Sequence, residues 1–154
     1  MIHRCLALVA AALLLSTPAA AELSRPEQAI IQTVDAEQER TVSMLEAWVN
    51  QNSGSLNSPG VEAVGRMLRG ELEQLGFKVE WIDMKAAGRA GHIVARHKGN
   101  GRGKRMLLIG HLDTVFEPDS SFQKWERKDD RGIGPGSGDD KGGMAVMIAA
   151  LRAM

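Results

Sequence analysis

The chain has 154 residues, and its 19 Lys+Arg balance 19 Asp+Glu to a formal net charge of zero. That balance gives no electrostatic footprint for nucleic acid or an anionic membrane surface. Aromatic residues make up only 4% and tyrosine is absent, which argues against a surface that stacks bases or sugars.

Residues 1–21 read as an export signal. Residues 1–4 are short and basic, 5–15 are continuously apolar, and Ser16, Thr17 and Pro18 interrupt the run. Ala19, Ala20 and Ala21 supply the small residues a signal peptidase needs, which places cleavage after Ala21. The apolar core is shorter than the roughly 20 residues of a membrane span. A periplasmic or secreted location is expected, with no membrane attachment after cleavage. There is no twin arginine, and Cys5 sits at the start of the apolar run, whereas a lipid-attachment cysteine would follow it. Cys5 is the sole cysteine, so the mature chain has no disulfide or thiolate chemistry. About 130 residues remain, enough for one domain with its own core.

The periodicity over residues 25–52 predicts one long amphipathic helix, with Ile31, Val34, Val42, Leu45, Trp48 and Val49 on one side. Residues 52–55 end it and read as a plain interhelical connection. Ser58 and Pro59 open a second helix, whose apolar side is Val61, Val64, Leu68, Leu72 and Leu75 and whose stop is Gly76. Residues 77–81 alternate as a half-buried strand does, and Ile93, Val94 and Ala95 form the heart of another. Residues 99–104 are a glycine-rich, basic turn with no helix start behind it to bind phosphate. His92 and His97 have no carboxylate at ligand spacing and are assigned to structure or surface.

Residues 106–109 are apolar throughout, which predicts an interior strand of an α/β sheet covered on both faces. Ligands of open parallel sheets collect beyond the carboxyl ends of such strands, where His111 and Asp113 stand. Two residues apart in extended chain, they point to one side. A metal-bound imidazole commonly donates its other ring N–H to a carboxylate or carbonyl, and Asp113 suits that part. Residues 121–133 read as a hairpin turning at 128–132, so Asp129 and Asp130 belong to a turn. Residues 134–143 then deliver Asp139 and Asp140 in a glycine-rich loop at the start of an apolar helix. A nucleotide loop is excluded, because Asp140 precedes Lys141 where a P-loop needs glycine, and Ser137 occupies the last glycine position of G-x-G-x-x-G. Carboxylates held in permissive backbone suit a hard cation instead. Gly142 and Gly143 are expected to let the helix pack close to the sheet.

Gly-His-Leu-Asp-Thr-Val at 110–115, followed by Gly-Pro-Gly-Ser-Gly-Asp-Asp-Lys-Gly-Gly at 134–143, resembles the two leading motifs of the di-zinc aminoacylase/carboxypeptidase family. Within it the likeness is greatest to the bacterial glutamate carboxypeptidases of the carboxypeptidase G type. The resemblance reaches back through residues 52–55 and 73–77 and covers nearly all of the mature chain. It implies an α/β fold: the partial, truncated catalytic domain of a di-zinc exopeptidase, a mixed sheet flanked by helices over residues 22–154. It also implies that His111 ligates zinc, that Asp113 orients His111 as the catalytic acid of the motif, and that Asp139 bridges two zinc ions. Asp140 would be the non-ligating second acid of a pair whose peptide bond is often cis. The activity implied is hydrolysis of a C-terminal amide by a zinc-activated water, on a small peptide or N-acyl amino acid.

The glutamate base, the remaining ligands and the lid domain through which a homodimer would form follow later in the family pattern. The helix after residue 143 is also apolar nearly all round and calls for cover on more than one side. The chain is therefore expected to be an N-terminal fragment. The alternatives are a non-catalytic truncated fragment, or an aminoacylase or dipeptidase of the same family.

Overall fold

A computed structural model describes residues 22–154; the export signal read at residues 1–21 lies outside the described residues. The first helix, α1 (Arg25–Ala36), opens with a reciprocal cap. The Ser24 hydroxyl accepts from the Glu27 amide at 3.4 Å, and the Glu27 carboxylate accepts from the Ser24 amide at 2.7 Å. The helix α2 (Gln38–Asn50) follows after a one-residue corner at Glu37. The predicted continuous helix over 25–52 is thus two helices. Glu37 leaves helical geometry at φ −98° and ψ 6°, and its carboxylate faces Arg40 at 3.5 Å and Arg152 at 3.6 Å. The predicted burial of Ile31 and Val34 is also corrected. They are 46% and 43% exposed, and α1 buries none of its residues.

Helix α3 (Ser58–Gln74) begins where the Asn57 side chain accepts from the Gly60 amide at 3.3 Å, with Pro59 in the first turn. It ends in a Schellman arrangement. Phe77 N–H donates to Leu72 C=O and Gly76 N–H to Glu73 C=O, both at 3.0 Å, with Gly76 at the positive φ of +80° that a side chain would resist. Strands β1 (Lys78–Asp83) and β2 (Gly91–Arg96) then pair antiparallel, Trp81 opposite Ile93 and Val79 opposite Ala95. These four side chains pack onto the core, so the alternation read at 77–81 is real. A short hairpin, β3 (Glu126–Lys128) and β4 (Arg131–Ile133), turns at Asp129 and Asp130. Asp129 takes the left-handed φ of 54° that a short polar side chain tolerates. Helix α4 (Lys141–Ala153) closes the chain.

The core lies between helices and the inner face of β1–β2. It joins Met44 and Trp48 of α2, Val61, Val64, Leu68 and Leu72 of α3, Leu112, and Met144, Ala145 and Ile148 of α4. On its far side Arg152, only 6% exposed at the side chain, pairs with Glu71 of α3 and with Glu37 at the α1–α2 corner. One buried guanidinium therefore ties α4, α3 and that corner together. No helix among the described residues is long and apolar enough to cross a membrane.

The expected mixed central sheet is corrected to two separate two-stranded antiparallel sheets. Among the described residues, parallel pairing is confined to an isolated bridge between Gly54 and Thr114. Residues 106–109, read as an interior strand, join neither sheet, and Leu107 and Ile109 are each 82% exposed. Their apolarity states a demand for cover, and no strand among the described residues supplies a ladder for them. On the neighbouring α4, Val146 is likewise 68% exposed. Gly142 and Gly143 consequently face no sheet; a side chain there would strike Ser137 and Asp140 of their own loop.

Ile148 is fully buried and Ile109 is not, so truncation should separate them. Ile148→Ala is expected to cost about 2–5 kcal/mol, and Ile109→Ala less than about 0.5 kcal/mol, in urea unfolding of the 22–154 chain. A core-sized loss at Ile109 would show that 106–109 is covered after all.

Candidate metal-binding site

Two loops meet beside the core. The first, 110–116, buries Leu112 and Thr114 at 8% and 4% exposure and leaves the alternate residues His111 and Asp113 facing outward. It is stitched to the 52–57 loop by Thr114 N–H to Ser53 C=O at 2.8 Å and Ser55 N–H to Thr114 C=O at 3.0 Å. Asn52 adds donation to Phe116 C=O at 2.9 Å and to Gln123 Oε1 at 2.7 Å. Residues 52–55 are therefore more than an interhelical connection: they form the floor on which the His111 segment lies. The sequence held a hint of this in Asn, Ser, Gly and Ser, residues able to replace ladder hydrogen bonds with side-chain ones.

The second loop, 134–140, approaches from the hairpin. Gly136 sits at φ +80°, and a Cβ on it would come within 2.9 Å of Thr114 Cγ2 and 3.1 Å of Lys141 Cδ. Only glycine permits both the backbone sign and the approach to the first loop. The Asp139–Asp140 peptide bond is cis. The Asp140 carbonyl accepts from Met144 N–H at 2.9 Å, starting α4.

This packing brings His111, Asp113 and Asp139 together, although Asp139 lies 28 positions from His111 in sequence. His111 Nε2 stands 2.9 Å from Asp139 Oδ1. On the other side of the ring, Nδ1 stands 3.0 Å from the Asp113 carbonyl and 3.3 Å from its Oδ1. Asp113 Oδ2 accepts from Ser55 Oγ at 2.5 Å. Both ring nitrogens thus face oxygen acceptors, and the imidazole holds its proton more firmly than usual. The Asp139 hydrogen bond is the largest cause, opposed by partial burial and assisted by Asp113. The Asp139 side chain is 89% exposed and that of His111 46%, so the pair opens onto solvent. The cleft beside them, about 410 Å³, carries Val115, Phe116, Phe122 and Ser137 on its walls. Phe116 and Phe122 meet edge to face at 5.0 Å.

An imidazole nitrogen and a carboxylate oxygen that converge on one point are the donor types a zinc ion takes, and a cation would replace the proton between them. Asp113 and Ser55 back the ring as an outer layer does in such sites. His111 and Asp139 therefore fit a metal as part of its ligand set. Among the described residues no group of three or more His, Cys, Asp or Glu is arranged to hold one, so the set is incomplete. The Asp140 carboxylate lies against Gly110 and Gly143, His92 belongs to β2 opposite Ile82, and His97 lies beyond the end of that strand. His97 packs its ring on Phe77 with centroids 5.2 Å apart.

Lys141, read in the sequence only as part of the 134–143 motif and as evidence against a P-loop, proves to be the residue that anchors the acidic loop. It is 0% exposed, and its ammonium donates to Trp48 C=O at 2.8 Å and Gln51 C=O at 2.9 Å. Trp48 C=O is one of the last-turn carbonyls of α2, which lack helical partners and carry the negative end of the helix dipole. A cation there fixes the start of α4, and with it Asp139, to the end of α2.

Residues 107–154, which hold His111, Asp113 and Asp139, match the family model described as Peptidase family M20/M25/M40. Carboxypeptidase G2 of Pseudomonas sp. (strain RS-16) is 36% identical over 129 residues, 82% of this chain. The chain spans 30% of the length of that relative.

Burial pushes the Lys141 ammonium down from 10.5 to about 8. Between those values the unfolded chain binds the proton more strongly than the folded one, so stability rises with pH. The cost, on the order of 3 kcal/mol, is fully present below about pH 8 and relieved by about pH 10.5. Tyrosine is absent and does not obscure this window. Urea unfolding from pH 7 to 10 should show the rise in the wild type and a flatter profile in Lys141→Met; equal profiles would contradict the assignment.

Proposed function

Because the chain belongs to peptidase family M20/M25/M40, we propose that it carries the leading part of the catalytic site of an exported, zinc-dependent peptidase. The reaction is hydrolysis of a C-terminal amide bond in a small peptide or N-acyl amino acid. The observation that carries the reading is the convergence of His111 Nε2 and Asp139 Oδ1 at 2.9 Å, with Asp113 behind the ring.

In this reading His111 and Asp139 would hold zinc as part of its ligand set. Zinc, when bound, lowers the pKa of water and polarises a carbonyl. The rest is the work of this chain. His111 gives up the proton on Nε2 and keeps the one on Nδ1, which Asp113 accepts through its carbonyl and Oδ1. That fixes the tautomer whose free lone pair faces Asp139, and it makes metal uptake release a proton. The open face of Asp139 leaves an approach for substrate, and Phe116, Phe122 and Val115 offer an apolar wall to its acyl side. One His and one Asp do not fill even one tetrahedral site, so the general base and further donors come from groups that the described residues do not bring here. Glutamate as the released residue rests only on the resemblance of the two motifs to those of glutamate carboxypeptidases. Export follows from the pattern of residues 1–21, and a homodimer would need contacts outside those described.

The test has two arms. In an active protein that contains this segment, His111→Ala should abolish zinc-dependent release of a C-terminal amino acid. Retained activity would remove His111 from the site. The 154-residue chain alone should show no peptidase activity and no stoichiometric zinc after dialysis. Tight uptake of two zinc ions by it would overturn the partial-site reading.

A further inference from the structure

We propose that Ser55 is a positioning residue of this site, setting the rotation of the Asp113 carboxylate and through it the ring of His111. The inference rests on the metal-site reading above and extends it to a loop 56 positions upstream of His111. Ser55 Oγ lies 2.5 Å from Asp113 Oδ2 and 3.3 Å from Thr114 C=O. A hydroxyl has one hydrogen, and the ionised carboxylate is the nearer and stronger acceptor. With Oδ2 engaged there, Oδ1 is left 3.3 Å from His111 Nδ1, beside the Asp113 carbonyl that stands 3.0 Å from the same nitrogen.

The hydroxyl is itself well placed. Ser55 N–H donates to Thr114 C=O at 3.0 Å, and Gly54 pairs with Thr114 in the parallel bridge. Leu56 N–H adds a bond to Glu117 Oε1 at 3.0 Å. The backbone on either side of Ser55 is thus pinned to the strand-like segment that carries His111 and Asp113. A side chain of one rotatable bond on a fixed backbone delivers its hydroxyl with little loss of freedom. The Asp113 side chain has 40% exposure and would otherwise turn between solvent and the ring. The chain Ser55–Asp113–His111–Asp139 therefore runs from the floor loop to the cation-facing nitrogen without a gap longer than 3.3 Å.

The experiment uses the full chain with Ser55→Ala and Ser55→Thr, the latter retaining a hydroxyl. Ring-nitrogen NMR of His111 at one fixed pH reads the ring directly, and zinc added stepwise to the same samples reads affinity. Ser55→Ala should displace the Nδ1 resonance and raise the zinc concentration for half-saturation about tenfold, with the backbone amide spectrum outside 52–57 and 110–116 unchanged. Ser55→Thr should restore both. Wild-type Nδ1 and zinc response in Ser55→Ala would overturn the positioning role while leaving the metal reading intact. Should Ser55→Ala fail to fold, a Ser55→Thr chain that folds with a displaced Nδ1 resonance would equally overturn it. His111→Ala with undiminished zinc uptake would instead defeat the metal reading beneath it.

Discussion

The buried ammonium of Lys141 is the contact on which the rest of this structure depends. Two backbone carbonyls at the end of α2, those of Trp48 and Gln51, receive it. A hydrogen bond from a charged donor contributes about 1.5–3 kcal/mol, and a carbonyl left buried without one costs about 1–3 kcal/mol. The lysine pays for its desolvation, as the fall of its pKa to about 8 records, and in exchange sets where α4 begins. Since α4 begins one residue after Asp140, the same contact sets where the acidic pair stands. Gly136, the only residue type that fits between Thr114 and the lysine stem, lets the loop close over it.

From that anchor the arrangement of the site follows in steps. The 52–57 loop leaves α2 immediately after the Lys141 contact and is stitched to 114–117 by backbone and asparagine hydrogen bonds. Burial of Leu112 and Thr114 then leaves the alternate residues His111 and Asp113 facing out together. The acidic loop arrives from the other side and presents Asp139 to Nε2. Two carboxylates flank the imidazole, Asp113 at 40% and Asp139 at 89% side-chain exposure, while the Lys141 cation is buried against Trp48 and Gln51. In the proposed reading, a divalent ion held by His111 and Asp139 would take the place of the proton between them, with the Asp113 and Ser55 hydrogen bonds behind the ring.

The sequence made the local chemistry legible and the long-range cover much less so. The stop at Gly76, the turn at Asp129 and the start of α4 are written in residues whose backbone preferences act over three or four positions, while the cap read at Ser58 falls one residue earlier, on Asn57. The site residues were legible because His111, Asp113 and Asp139 sit in short motifs, each with its own glycines. Residues 106–109 failed for the opposite reason. A run of four apolar side chains specifies that it should be buried on both faces, but not what covers it, and here Leu107 and Ile109 remain open. The corner at Glu37 was hidden because apolar spacing runs across it, while the interaction that turns the carboxylate comes from Arg152, over a hundred residues away. The roles of Ser55 and Lys141 were not legible because both depend on partners far away in sequence, Asp113 for the serine and the Trp48 and Gln51 carbonyls for the lysine.

The central claim is that the two loops present His111 and Asp139 to a single cation. A crystal of the chain grown or soaked with zinc, with anomalous data collected at the zinc edge, tests this most directly. The account predicts an anomalous peak about 2.0–2.2 Å from both His111 Nε2 and an Asp139 oxygen, with Asp113 still behind Nδ1 and Asp140 turned away. A peak bound instead by His92 or His97, or one that engages Asp140 and leaves Asp139 free, would contradict it.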